Sequence, residues 1–475
     1  MRSRWSSLVL VAASASCNAL TGVDDLSAGP GDVCPECDGG AARPDGGGPT
    51  DGAVSADGAP LDAGTDAGPQ PWGGLDPTFG VAGTALLQLP LREVRAALVL
   101  PDGKIVVVGA TTGNDAALLR VLPDGQPDPA FGAGGLVVDG FGNSSELRAV
   151  ALDATGRLVV AGLTVTTDAN GAHRYGFASR YSATGQRDTG FGIQGRSRTV
   201  LDNQEWSALV LDPSGSIFTA GQCDTNGRDF GVFKLTQNGS GELAFGSAGR
   251  VCHSFGNGID AALAMAPSPN GTLVLAGYAR VSNDDGAAVR VTRATGDGDP
   301  TFGTLGRTTF AVGTQTDRAV AAAVGADGKV VLAVEVAVEP SSGQNRDRDD
   351  FGVARLTASG ALDPTFGTAG IVTTDFPQLA NDEDRGDYPT SILLQADGRV
   401  MVAGFSDMRS KGVGRVVRYT PAGALDPLFA DSGVLTIALP NNDLRARALA
   451  TTPDGKVVVA SETDGAGVAL TRFVP

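Results

Sequence analysis

The chain has 475 residues, 68 of them glycine, with 5% aromatics and a formal net charge of −17. That length allows one large all-β domain or two to three ordinary ones, with many tight turns and a core of Ala, Val and Leu. An acidic chain lacking any basic block excludes phosphate-driven nucleic-acid binding. The charge is uneven: residues 23–71 hold ten carboxylates against Arg43, so the rest of the chain is only mildly acidic.

The N-terminus predicts export. Arg2 and Arg4 precede the apolar run LVLVAASAS (8–16), which ends at Cys17 and is too short to span a bilayer. Small residues running into a cysteine resemble the lipobox of bacterial lipoproteins, although Ser14 stands where that family prefers Leu. The resemblance implies a signal peptide with lipobox over residues 1–17, cleaved before Cys17, and lipid attachment at that cysteine. Cleavage after ASA (13–15) and plain secretion is the alternative. One acyl chain binds a membrane only marginally, so stable anchoring needs more than one. The expected location is the outer membrane or cell surface, with the periplasm or the medium as alternatives. Contact with membrane is expected through the lipid anchor alone.

Residues 18–74 read as an acidic tether of Gly, Ala, Asp and Pro. Such a composition buries too little apolar surface to offset the entropy of ordering. About 55 residues of such coil span on the order of 40 Å. Cys34 and Cys37 form CPEC within it, away from the helix N-terminus that a redox motif uses, and Asp38 stands where haem attachment needs His. They read as a local disulfide or as no site.

From residue 75 the chain repeats itself. LDPTFGVAG (75–83), GDPTFGTLG (298–306), LDPTFGTAG (362–370) and LDPLFADSG (425–433) are copies of one nonapeptide. Its Phe recurs as Phe79, Phe131, Phe191, Phe245, Phe302, Phe366 and Phe429, spaced 52 to 64 residues apart. Three positions earlier stand Asp76, Asp128, Asp188, Glu242, Asp299, Asp363 and Asp426. A second marker of the PDGK kind falls between copies, with Gly103, Gly156, Gly215, Gly271, Gly328, Gly398 and Gly455.

Each unit reads as four strands. An Ala-rich run (RAALVL, WSALVL) leads into the DG turn, and a β-branched run (KIVVVGA, KVVLAVEV) leaves it. A third run carries one basic residue (ALLRVL, FGVARLT); the DPTFG turn and a short fourth run follow. Seven such units predict an all-β fold, a seven-bladed β-propeller of four-stranded antiparallel blades over residues 75–475. The last unit stops after its third strand at GVALTRFVP, while an extra LDPTFG and the run TALLQL (84–89) precede the first complete unit. The N-terminal piece supplies what the C-terminal unit lacks, so the ring is expected to close through an N-terminal outer strand.

These motifs, DFGVARLTASGALDPTFGTAGIV (350–372) above all, resemble the delta-60 repeat family of exported bacterial proteins. The resemblance covers roughly 75–475, with Thr189 and Leu243 in place of Pro, Ala430 in place of Gly and Glu242 in place of Asp. It implies the fold and carries no activity.

Chemistry-bearing residues are few. His173 and His253 fall in different units without metal-type spacing and read as solvated histidines of turns or strands. Cys223 and Cys252 are expected at opposite ends of one blade, unbridged. The basic residues Arg120, Arg180, Lys234, Arg290, Arg355, Arg418 and Arg472 read as partners of the seven motif acids. No charged cluster repeated toward the axis is visible.

Loop length is the better guide to function. The turn types of one face hardly vary, whereas long segments gather on the other: 338–350, 376–387 and 166–175. The first two bring together Asp347, Asp349, Asp350, Asp382, Glu383, Asp384 and Asp387, oxygen ligands of the kind Ca²⁺ takes. The expectation is a non-catalytic, surface-tethered monomer that presents this loop face to a protein or glycan and needs no resident cofactor. The alternatives are a propeller lyase or hydrolase using carboxylates or a metal there, and a structural component of the envelope.

Overall fold

In the computed structural model the described residues are 72–475, except 170, 200–203, 224–227, 257, 281–282, 339–347, 377–383, 409–410, 441 and 465–466. The signal segment, Cys17, Cys34, Cys37 and nearly all of the tether lie outside them. Strand β1 (Thr84–Gln88) comes first and stands apart from the blade that follows it. Blade 1 is β2 (Leu91–Val99), β3 (Ile105–Thr111), β4 (Ala116–Val121) and β5 (Leu136–Asp139). Blade 2 is β6 (Ser144–Leu152), β7 (Leu158–Asp168), β8 (Gly171–Tyr181) and β9 (Arg196–Arg198). Blade 3 is β10 (Trp206–Leu211), β11 (Ile217–Cys223), β12 (Asp229–Leu235) and β13 (Arg250–His253). Blade 4 is β14 (Ala261–Ser268), β15 (Thr272–Arg280), β16 (Asp284–Thr292) and β17 (Arg307–Phe310). Blade 5 is β18 (Asp317–Val324), β19 (Val330–Val338), β20 (Arg348–Leu356) and β21 (Ile371–Thr374). Blade 6 is β22 (Asp384–Leu394), β23 (Val400–Met408), β24 (Gly412–Tyr419) and β25 (Val434–Ile437). Blade 7 has β26 (Leu444–Thr451), β27 (Val457–Thr463) and β28 (Gly467–Phe473).

Every blade is a four-stranded antiparallel sheet in sequence order, and blade 7 takes β1 as its fourth strand. The register runs from Thr84 opposite Thr471 to Gln88 opposite Gly467. The seven-bladed ring is therefore closed by the N-terminal strand.

First strands line the axis, each touching the first strand of the next blade all the way round. Their Ala content suits that position, where blades converge and little room is left. All seven carry a bulge at one equivalent place, centred on Arg95, Arg148, Ser207, Leu263, Val320, Thr390 and Arg447. The bulge explains the glycine of the second-strand motif VVVGA. A Cβ on Gly109 would fall 1.9 Å from the Glu93 carbonyl oxygen, and blades 5 and 7 carry Val334 and Ser461 at the equivalent place.

The DPTF turns fasten blade to blade. Asp363 Oδ1 caps its own turn through the Thr365 N–H (3.0 Å), and Phe366 is fully buried. All seven repeat Phe residues are similarly buried. Filling the wedge between blades with an aromatic ring stabilises it by about 2–3 kcal/mol per residue.

Two boundaries differ from the sequence reading. Residues 166–168 and 171–175 extend the β7–β8 hairpin instead of forming a free loop, pairing Asp168 with Gly171. Trp72–Gly74, read as the end of the tether, bond to the ring: the Gly73 N–H donates to the Val474 carbonyl (2.5 Å) and the Ala430 N–H to that of Trp72 (2.9 Å).

Candidate functional site

The two faces of the ring differ in how much their connections vary. The six complete third-to-fourth-strand connections all span fourteen residues, and six of the seven first-to-second-strand hairpins span five. On the opposite face the second-to-third-strand connections run from two residues (169–170) to nine (339–347). Variation is concentrated on one face, as the sequence implied.

On that face, at the seam between blades 5 and 6, the carboxylates of Asp350, Asp375 and Asp387 lie within 4.8 Å of one another. Asp350 belongs to β20, Asp375 follows β21 directly and Asp387 is a buried residue of β22. The Phe376 N–H donates to Asp387 Oδ2 at 3.3 Å. Of the expected acidic group, Asp350 and Asp387 meet here. Asp349 lies opposite Ala337 and Asp384 opposite Met408 in their ladders. Asp347, Asp382 and Glu383 lie outside the described residues. Asp375 escaped the sequence reading because it ends a fourth strand and sits in neither long acidic run. Three carboxylate oxygens are fewer than the six to eight that Ca²⁺ takes, leaving the balance to main-chain oxygens and water.

The axis carries charge that the sequence reading missed. Across blades 7, 1, 2 and 3 the inner strands hold alternating acids and arginines. Arg447 pairs with Glu462, and Glu462 also accepts the Val94 N–H at 3.4 Å. Arg95 pairs with Glu93 and reaches Glu146 at 3.4 Å; Arg148 pairs with Glu146 and reaches Glu205 at 3.0 Å. Arg174 closes the line on Glu205 at 3.0 Å. Burial works against ionisation of Glu146, but Arg148 and Arg95 outweigh it and hold the carboxyl well below its usual range. The signal was present as E-x-R at 93–95 and 146–148, but spread over separate units it looks like ordinary surface charge. Every acid in the line is taken by an arginine, so it binds blades to each other and offers no general base.

The basic residues of the third strands are structural, as expected, in six blades. Arg120–Asp128, Arg290–Asp299 and Arg355–Asp363 meet at 2.8 Å, Arg418–Asp426 at 2.9 Å and Arg472–Asp76 at 2.7 Å. Arg180 meets Asp188 at 2.8 Å. Blade 3 departs: among the described residues Lys234 and Glu242 form no ion pair, and the Lys234 ammonium lies 5.4 Å from the Phe218 ring instead.

Two further expectations are corrected. Cys223 and Cys252 form a disulfide, with Cα atoms 5.9 Å apart. The fourth strand of blade 3 is only four residues long and pairs with Phe230–Phe233, so Cys252 lies near the same end as Cys223. His253 is buried rather than solvated and bonds to the Gly296 carbonyl at 2.9 Å. His173 lies at the tip of the β7–β8 hairpin, 3.0 Å from Asp168.

Where the hairpins of blades 4 to 7 converge, a cavity of about 890 Å³ opens, walled by Ala266, Ala322, Val324 and Leu393. Its cations Lys329 and Arg355 are both engaged by Asp363, at 3.0 and 2.8 Å.

The fold thus defines an all-β seven-bladed propeller. A family model described as a domain of unknown function, DUF5122, beta-propeller, matches residues 100–131, 325–366 and 395–429. Each match runs from a first hairpin to a repeat Phe, in blades 1, 5 and 6. No curated protein matches the chain. Among solved structures, a protein of unknown function from Dyadobacter fermentans shares 12% identity at a TM-score of 0.44, covering 83% of this chain and 98% of its own. A gluconolactonase from Xanthomonas campestris shares 15% at 0.35, covering 67% and 84%. A PQQ-bound aldose sugar dehydrogenase from Streptomyces coelicolor shares 14% at 0.35, covering 82% and 98%. Likenesses this distant say nothing about activity.

Proposed function

We propose that the protein is a non-catalytic binding scaffold, exported and tethered through Cys17, whose variable-loop face recognises a protein or glycan. The observation that carries this reading is the concentration of length variation on one face of a nearly uniform ring. Repeat proteins place their insertions on the face they bind with. The Cys223–Cys252 disulfide suits an oxidising compartment outside the cytoplasm.

The test compares the full chain with a variant in which residues 339–347 are replaced by an Asn-Gly turn. Both are assayed by glycan array and by crosslinking on intact cells. Loss of a specific crosslinked partner or glycan signal in the variant, with melting unchanged, supports the reading. Equal binding by both overturns it. For the tether, Cys17→Ser should move the protein from the detergent phase to the aqueous phase on Triton X-114 partition.

A second reading rests on the approach of Asp350, Asp375 and Asp387, which favours a bound hard cation on the same face. Such a cation would order the loops or serve a lyase or hydrolase reaction.

A further inference from the structure

We infer that the seam between blades 3 and 4 is redox-sensitive, because the Cys223–Cys252 disulfide there stands in for the clamp that locks the other seams. Two contacts recur around the ring. In one, the N–H that follows each repeat Phe donates to a carbonyl of the next blade's turn: Gly80 to Asp124, Gly132 to Thr184, Gly192 to Asn238, Gly303 to Ser359, Gly367 to Ala422 and Ala430 to Trp72. In the other, the third-strand arginine extends Nη1 to a neighbouring carbonyl of that turn. Arg120 reaches Ala183, Arg180 Gln237, Arg290 Ala358, Arg355 Pro421 and Arg472 Pro123.

At the seam of blades 3 and 4, neither contact forms among the described residues. The turn of blade 4 is displaced by one residue: Arg290 to Phe302 is twelve positions, against eleven from Arg120 to Phe131. That insertion removes both acceptors at once. On the blade 3 side, the arginine is replaced by Lys234, which has no guanidinium fork with which to hold an acid and a carbonyl together.

Across this seam the Asp260 N–H donates to the Arg228 carbonyl at 2.7 Å, and two further hydrogen bonds come from the outermost strand of blade 3 and the residue after it. His253 Nε2 bonds to the Gly296 carbonyl at 2.9 Å, and Arg307 Nη1 donates to the Ser254 carbonyl at 2.8 Å. Strand β13 is four residues long and pairs only with β12. Fourth strands are three or four residues long in every blade but the seventh; β13 adds to its ladder a disulfide, which ties Cys252 over β12 to the end of β11. The crossing passes Gly231, where a Cβ would lie 2.9 Å from Cys223 Cβ, so the central strand keeps its side chain out of the way. The disulfide therefore pins the segment that carries two of the seam's hydrogen bonds.

Dithiothreitol breaks this bond by thiol–disulfide exchange. The S–S bond accepts two electrons and two protons, Cys223 and Cys252 become thiols, and the reductant closes its own cyclic disulfide. Hydrogen–deuterium exchange of the full chain, oxidised and reduced, reads the consequence. Exchange in 245–256 and 293–298 should quicken by about tenfold or more on reduction, while the matching segments at the seam of blades 5 and 6 hold their rates. Unchanged exchange at the seam, or an increase spread evenly over all seven blades, overturns the inference. The variant Cys223→Ser/Cys252→Ser should show the quickened pattern without reductant and no further change with it. A further change in that variant would assign the effect to Cys34 and Cys37 and overturn the inference as well.

Discussion

Arg472 Nε and Asp76 Oδ2 lie 2.7 Å apart although 396 positions separate them in the chain. The contact copies Arg355–Asp363, eight positions apart and 2.8 Å long. The copy extends to the main chain: Val474 and Gly73–Gly74 exchange the bonds that Thr357 exchanges with Gly360 and Ala361 inside an unbroken turn. Trp72 covers the Arg418 guanidinium at 4.6 Å and offers its carbonyl to Ala430, completing the turn that the chain's end interrupts. Removing one partner of a buried ion pair strands the other. Arg472→Ala still leaves Asp76 with Lys456 at 2.8 Å, so the variant should lower stability by about 1–3 kcal/mol in urea unfolding. Lys234→Ala, with no ion pair to break among the described residues, should cost clearly less; equal costs would refute the clamp.

His253 predicts a pH dependence. Burial pushes its imidazole below the ordinary value of 6.5, with Arg307 acting in the same direction and the Gly296 carbonyl, Asp297 and Asp229 opposing. A group that is neutral when folded and protonates more readily when unfolded favours unfolding in acid. Its contribution is intact above pH 6.5 and declines as pH falls below that value toward the lowered folded pKa. Melting temperature should drop between pH 7.5 and 5.5, and His253→Leu should flatten that part of the profile. An identical slope in the variant removes His253 as the cause.

The axial line of charge makes a third prediction. Glu146 serves both Arg95 and Arg148, so Glu146→Gln should destabilise by about 3–5 kcal/mol. Replacing Arg95, Glu146 and Arg148 together with Met, Leu and Met should recover most of that loss, since well-packed apolar residues often replace a buried ion network at little cost. A triple variant weaker than the single one would contradict the structural role.

For the acidic cluster, millimolar Ca²⁺ should raise the melting temperature of the full chain, and Asp375→Asn should abolish the rise. Equal melting with and without Ca²⁺ disposes of the metal reading and leaves the binding-scaffold reading standing.

The repeat was legible because the fastening residues recur with the fold. The Asp, Phe and Gly of the nonapeptide do the same work in most blades, so one alignment exposes strands, turns and ring closure together. Features that occur once were harder to see. Asp375 became part of a cluster only when β21 and β22 were set side by side. The disulfide depended on how short β13 is, which no spacing reveals. The axial acids and arginines sit in separate units and gain their meaning from convergence on the axis.

The central claim is that residues 72–90 complete the seventh blade, and deleting them tests it most directly. Thermal melting of residues 91–475 should show a loss of several kcal/mol, about the size expected when a paired edge is stripped, or aggregation through the exposed edge of β28. Melting indistinguishable from that of the intact ring would contradict the closed seven-bladed architecture.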